Sequence, residues 1–205
     1  MHKLRQTLYY LSGKIYLYPH ELEKKGPRLL HISDTPSLFF PELARLIKRL
    51  KPDYIVHTGD LVDNIKLQLQ PGSIRRYERE VLSLLKILDS SDAIAVYITL
   101  GNHDSPEYVK KHAGRIIVYE YDATCNIEGL DISMCHYAGG LLSHNSDYYL
   151  FGHDLIIKSH LDDGRIYLNG ISTINLIELS AHDVHYFQYP WGIDEARLNK
   201  NLIGI

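Results

Sequence analysis

The chain has 205 residues, 45% hydrophobic and 23% charged, which suits one globular domain with its own core and excludes a disordered or fibrous chain. A formal net charge of -3, from 22 basic and 25 acidic residues, lacks the basic surplus of a nucleic-acid binder, so nucleic acid is a disfavoured partner. No apolar run reaches the roughly 20 residues of a membrane span, and residues 1–19 lack a signal-peptide cleavage pattern, so a cytoplasmic protein without membrane contact is expected.

Residues 1–27 read as an N-terminal extension packed on a domain of residues 28–205. Leu4, Leu8 and Leu11 share a helix face, Lys14–Pro19 alternates like a short strand, and Glu21–Pro27 reads as a charged linker ending in Gly-Pro. From Arg28 the pattern becomes alternating strand and helix. Arg28–Ser33 is an apolar strand running into Asp34. Phe39–Leu50 is an amphipathic helix with Pro41 tolerated in its first turn. Asp53–Thr58 is a strand running into Gly59-Asp60, and Ser73–Leu88 a helix with Ser73 as its expected N-cap. Ala93–Leu100 ends at Gly101-Asn102, and Pro106 opens a short helix. Beyond residue 115 the helical period fades into strand-like runs at Ile116–Tyr119, Leu130–Cys135, Tyr148–Phe151, Arg165–Leu168, Thr173–Leu179 and Val184–Tyr189. Helices first and strands later suggest an α/β sheet packed on a more antiparallel one.

The two cysteines, Cys125 and Cys135, form no CxxC pair, which excludes a zinc ribbon or a thioredoxin-type motif; both are expected reduced and buried. The chemistry gathers instead at strand ends. Ser33-Asp34, Gly59-Asp60-Leu61-Val62-Asp63 and Gly101-Asn102-His103-Asp104 each follow an apolar run, as do His136 and Gly152-His153. Ligands of open α/β sheets bind beyond the carboxyl ends of the strands, so these clusters are expected to share one crevice. Any one of them is weak evidence: a strand-end Asp is usually a turn former, and a lone His is usually structural. Together, Asp34, Asp60, Asn102, His103, His136 and His153 make a mixed nitrogen and oxygen set, which suits Mn, Fe or Zn better than Ca or Mg.

In this order, GDLVD at 59–63, GNHD at 101–104, the later His136 and Gly152-His153 resemble the calcineurin-like metallophosphoesterases over about residues 28 to 190. Asn169-Gly170-Ile171-Ser172 resembles that family's turn near the chain end, with the residue order altered. The resemblance implies a four-layer α/β (α+β) sandwich of two mixed β-sheets flanked by helices, with metals at the strand ends. It implies hydrolysis of phosphate mono- or diesters by attack of a metal-bound hydroxide. Asp60 would bridge two metals, Asp34 would hold the first, and Asn102, His136 and His153 would complete the second. His103 would face the phosphate as an acid, oriented by Asp104, and Asp63 would be a supporting residue.

The sequence departs from the family at two places. Where the family has Asp-x-His, this chain has Asp34-Thr35-Pro36, and where it has Gly-His-x-His, this chain has Gly152-His153-Asp154-Leu155. Both lost histidines belong to the first metal site. One metal with weak hydrolysis, replacement of a lost ligand by Asp154, His144 or His160, and conversion to an inactive scaffold or binding module all remain open. A phosphate-ester substrate is the expected partner, and a homo-oligomer is allowed.

Overall fold

The computed structural model describes residues 2–198, so Met1 of the extension and residues 199–205 of the expected domain lie outside the described residues. The first half runs α1 (His2–Leu11), α2 (Pro19–Leu22), β1 (Arg28–Ile32), α3 (Phe40–Leu50), β2 (Tyr54–His57), α4 (Ile74–Asp89), β3 (Ala95–Thr99), α5 (Pro106–His112) and β4 (Ile117–Tyr119). The second half runs β5 (Ala123–Ile127), β6 (Leu130–Met134), β7 (Tyr148–Phe151), β8 (His160–Asp162), β9 (Arg165–Asn169), β10 (Ile174–Glu178), β11 (Asp183–Phe187) and α6 (Ile193–Arg197).

Two mixed sheets result. The first has the order β11-β10-β1-β2-β3-β4, with β1 to β4 parallel and β10 antiparallel to both β1 and β11. The second has the order β5-β6-β7-β9-β8, with β6, β7 and β9 parallel and antiparallel strands at both edges. Side chains alternate across β1, so Leu30 and Ile32 meet the helices while Leu29 faces the second sheet. Against the helix-facing side lie Leu43, Leu46 and Leu50 of α3 and Tyr77, Val81, Leu84 and Leu88 of α4, each at a three- or four-residue step. Between the sheets Leu29, Val56 and Ile177 pack on Ile132, Met134, Tyr148 and Leu150. The outer face of the second sheet buries Tyr149 and Phe151 beneath a single 3-10 turn at Ala138–Leu141.

The N-terminal extension departs from expectation. Lys14–Pro19 is not a strand. The Ile15 N–H donates to Glu42 Oε1 at 2.7 Å, and Arg45 Nη2 donates to the Ile15 carbonyl at 2.6 Å, so α3 side chains satisfy the backbone that a sheet would have paired. The expected linker opens inside α2, where Glu21 is buried. Ser73 makes no side-chain cap, because it closes a 3-10 turn at Pro71–Ser73 that leads into α4. Cys125 is only half-buried, while Cys135 is buried, and both are free. Among the described residues no helix is long and apolar enough to cross a membrane.

Candidate metal centre

The loops leaving β1, β2, β3, β6 and β7 meet at one end of the paired sheets. Backbone bonds knit them together: Asp34 N donates to Gly59 O at 3.0 Å, Asp63 N to Thr35 O at 3.0 Å, and Gly152 N to His136 O at 3.1 Å. Two glycines allow the approach. A Cβ on Gly101 would lie 2.2 Å from Asp60 Oδ1, and one on Gly152 would lie 1.9 Å from Ser33 Oγ and 2.4 Å from Asp34 Oδ2. Asp34, Asp60 and His153 all adopt left-handed backbone, at φ 51°, 50° and 62°. Non-glycine residues hold that conformation at a cost of about 1–3 kcal/mol, so three such residues around one crevice mark a place where side-chain direction outweighs backbone ease.

Asp60, His136 and His153 offer donor atoms that all lie within 4.8 Å of one another. His136 Nδ1 lies 2.7 Å from the Thr58 carbonyl, which can only accept, so Nδ1 carries the proton and Nε2 presents its lone pair to the crevice. That Nε2 is 3.7 Å from Asp60 Oδ2 and accepts a hydrogen bond from His153 Nδ1 at 3.2 Å, a proton that an ion between them would replace. Nitrogens bound tetrahedrally to one zinc-sized ion stand about 3.3 Å apart, so the two imidazoles are spaced as a ligand pair. Burial pushes His153 below its ordinary pKa, with the neighbouring His136 adding to the effect, which favours the neutral ligand form. These residues therefore offer a mixed nitrogen and oxygen donor set for a divalent ion. Asn102 reaches the same rim. Its Oδ1 accepts from Tyr137 Oη at 2.9 Å and its Nδ2 donates to Gln68 at 2.8 Å, which leaves a second lone pair on Oδ1.

The neighbouring group is different. Asp34, Asp60 and Asp63 bring carboxylate oxygens within 4.8 Å of one another, with no nitrogen ligand among them. They line a cavity of about 150 Å³ together with Lys66, His103, Leu155 and Arg197. That volume accepts a phosphoryl-sized group and is below the ~300 Å³ of a drug-sized pocket. Pro36 is buried at the start of a 3-10 turn, and Leu155 offers the cavity only methyl groups. The three expected substitutes do not fill the gap. His144 is bonded to Asp122 at 2.8 Å and Thr124 at 3.0 Å, and His160 stacks on Tyr167. Asp154 Oδ1 accepts from the Ile156 amide at 2.7 Å. Asp63, expected only to support, joins the carboxylates instead. Burial and then Asp34 push its pKa up to about 7, while burial and then Asp104 hold Asp60 well above the ordinary range.

His103 is buried beside both groups. Its N–H donates to Asp60 Oδ1 at 2.9 Å, and its ring Nδ1 is buried with no partner among the described residues. Burial, reinforced by Lys66, lowers its pKa to about 4. Asp104 does not orient this ring. Its carboxylate accepts from the amides of Asp60, Leu61 and Gly101 at 2.9, 2.9 and 2.8 Å and from Tyr77 Oη at 2.9 Å. It clamps the β2 and β3 loops together. Buried His57 does similar work: it accepts from Gly59 N at 3.2 Å and meets Thr35 Oγ1 at 2.9 Å, beside Asp34.

Four contributors are not legible from motifs. Tyr137 stands edge-on to His136 and His153, with centroids 4.8 and 4.5 Å away. Its only sequence signal is adjacency to His136. Tyr77 belongs to the apolar stripe of α4, and its hydroxyl role shows only in space. Lys66 forms an ion pair with Asp63, three residues earlier. Arg197, only 3% exposed, donates through Nε to Asp34 O at 2.7 Å and lies 4.1 Å over the Tyr189 ring. Nothing near it in sequence signals a site.

The profile of the calcineurin-like phosphoesterase family matches residues 27–195. No curated protein matches the sequence. Among solved structures, a novel archaeal phosphodiesterase superposes with a TM-score of 0.56 at 15% identity, covering 78% of this chain and 98% of its own. YfcE, a phosphoesterase from E. coli, superposes with a TM-score of 0.53 at 13% identity, covering 80% of this chain and 99% of its own. At such identities the two structures speak for the fold, which is the two-sheet sandwich described above.

Proposed function

This chain belongs to the calcineurin-like phosphoesterase family, and on that premise we propose that it hydrolyses phosphate mono- or diesters with a divalent ion held by Asp60, Asn102, His136 and His153. The observation that carries the proposal is the His136 Nε2 to His153 Nδ1 distance of 3.2 Å, with the His136 proton committed to Thr58 O. When bound, the ion supplies Lewis acidity, which makes water nucleophilic near neutral pH and offsets phosphoryl charge.

The chain's own residues do the rest. His103 lines the cavity, its buried Nδ1 has no partner among the described residues, and its lowered pKa of about 4 keeps the ring neutral before substrate binds. A phosphoryl anion beside it favours the charged imidazole, so its pKa rises on substrate binding and it donates a proton to the leaving oxygen. Asp34 accepts from Ser33 Oγ at 2.5 Å and from His153 N at 3.0 Å, and so holds the β1 and β7 loops in register. Asp104 fixes the backbone that aims both Asp60 and His103. The small cavity receives the phosphoryl group, leaving the rest of the ester in solvent.

The test is turnover of a generic phosphodiester with and without added manganese. We expect stimulation by manganese and a fall of about 10²–10⁴ in kcat for His103→Ala, with bound metal unchanged. Absence of stimulation, or full activity in His103→Ala, would refute the proposal.

One observation favours a second reading, an interaction module. Leu4, Leu8 and Leu11 of α1 are 67, 58 and 58% exposed on one helix face, outside the matched residues 27–195. Sedimentation of the wild type against a Leu4→Ser/Leu8→Ser variant distinguishes the cases. A change in assembly state supports the module, and identical monomers count against it.

A further inference from the structure

The Asp34–Asp60–Asp63 group is made of carboxylates alone among the described residues, although His103 and His153 line the same cavity. We propose that the Lys66 ammonium is the resident cation of the Asp34–Asp60–Asp63 group, so that the centre takes one divalent ion per chain and not two. The inference rests on the hydrolase reading above and deepens it.

Three observations support it. First, Lys66 is placed and not merely nearby. It pairs with Asp63, its side chain is 23% exposed, and its carbonyl accepts from Leu69 N at 3.0 Å and Gln70 N at 2.8 Å, which holds the turn that carries it. An ammonium has three donors and no lone pair, so it cannot share a metal. An ion at Asp63 would be left with Oδ2, because the ammonium occupies Oδ1. Second, Lys66 already offsets one carboxylate charge of the Asp34–Asp60–Asp63 group, so less negative charge is left to hold a second dication. Third, a second cation, Arg197, lines the same cavity. Arg197 is paired there with Asp194 at 2.8 Å, and its Nη2 is buried without a partner among the described residues. Both fixed cations repel a second dication. Leu155 and Pro36 add nothing a metal could use.

The test is manganese content per chain after desalting from excess manganese, measured by mass spectrometry on the wild type, Lys66→Ala, Lys66→Gln and Lys66→Arg. The side chain is part-exposed on a turn, so at least one neutral variant is expected to keep wild-type circular dichroism. We expect one ion in the wild type and in Lys66→Arg, and a rise towards two in the neutral variants. Two ions in the wild type would overturn the proposal while leaving the hydrolase reading intact. One ion in every folded variant would also overturn it, because the lost histidines alone would then explain the count. No ion in the wild type would overturn the hydrolase reading and the proposal with it.

Discussion

Removing the Asp104 carboxylate tests the loop clamp directly. In Asp104→Ala the amides of Asp60, Leu61 and Gly101 lose their acceptor together, as does the Tyr77 hydroxyl. An unpaired buried donor costs about 1–3 kcal/mol, and bonds to a charged acceptor sit at the upper end. Three amides would sum to more than that, but water can enter the space the carboxylate leaves, so we expect a loss of about 3–5 kcal/mol. This is a large part of the ~5–15 kcal/mol that holds a domain folded. Asp104→Asn keeps one acceptor oxygen but turns an NH₂ towards donors, so it is expected to lose nearly as much. Tyr77→Phe removes one bond to the carboxylate and is expected to lose about 1 kcal/mol. Urea unfolding followed by circular dichroism reads all three. Had Asp104 instead oriented His103, Asp104→Asn would alter the pH profile of turnover with little effect on unfolding. A loss below about 0.5 kcal/mol in Asp104→Ala, the ordinary scatter of surface substitutions, would refute the clamp.

Gly152→Ala is expected to destabilise by about 1–3 kcal/mol, because its Cβ would lie 1.9 Å from Ser33 Oγ; Ser33→Ala in the same chain should recover part of the loss, and simple additivity of the two would count against the close approach. Glu42→Ala strips the Ile15 amide and Arg45 of their partner, and at about 1–3 kcal/mol for buried groups it should speed limited proteolysis around residues 12–18 severalfold; unchanged cleavage would contradict that anchoring. In metal-free protein Asp63 titrates at about 7 against 3.8 for the free side chain. A raised carboxyl pKa means that folding takes up a proton, so this contribution is full below the unfolded value and is lost as pH rises through about 7. A divalent ion favours the carboxylate forms of Asp60 and Asp63 instead, so ion binding releases protons and tightens between about pH 5 and 8. Calorimetry in buffers of different ionisation heat measures this, and an affinity flat across that range would contradict it.

The strand ends were legible because the chemistry there depends on residue type. GDLVD, GNHD, His136 and Gly152-His153 each follow an apolar run, and the loops they form do meet. The helices α3 and α4 were legible because their apolar residues recur at helical spacing. What stayed hidden depends on position in space. Asp104 looked like a partner for the adjacent His103, yet its carboxylate is consumed by amides from two loops. His144 and His160 had the right chemistry, but they hang from the second sheet with partners of their own. Lys66 and Arg197 stand outside every motif, and only folding brings them onto one cavity. Lys14–Pro19 alternated like a strand, but its Ile15 backbone is held by Glu42 and Arg45 of α3 instead of a neighbouring strand. The short strands β5 and β8 were missed because Ala123–Ile127 is a half-exposed edge and His160–Asp162 an exposed one, both with little apolar signal.

The central claim is that one divalent ion sits between Asp60, His136 and His153. Anomalous scattering from a manganese-soaked crystal, recorded at the manganese edge, tests it most directly. The account predicts a peak within bonding distance of Asp60 Oδ2, His136 Nε2 and His153 Nδ1, with Lys66 still on Asp63. A peak only between Asp34 and Asp63, or none at the strand ends, would contradict it.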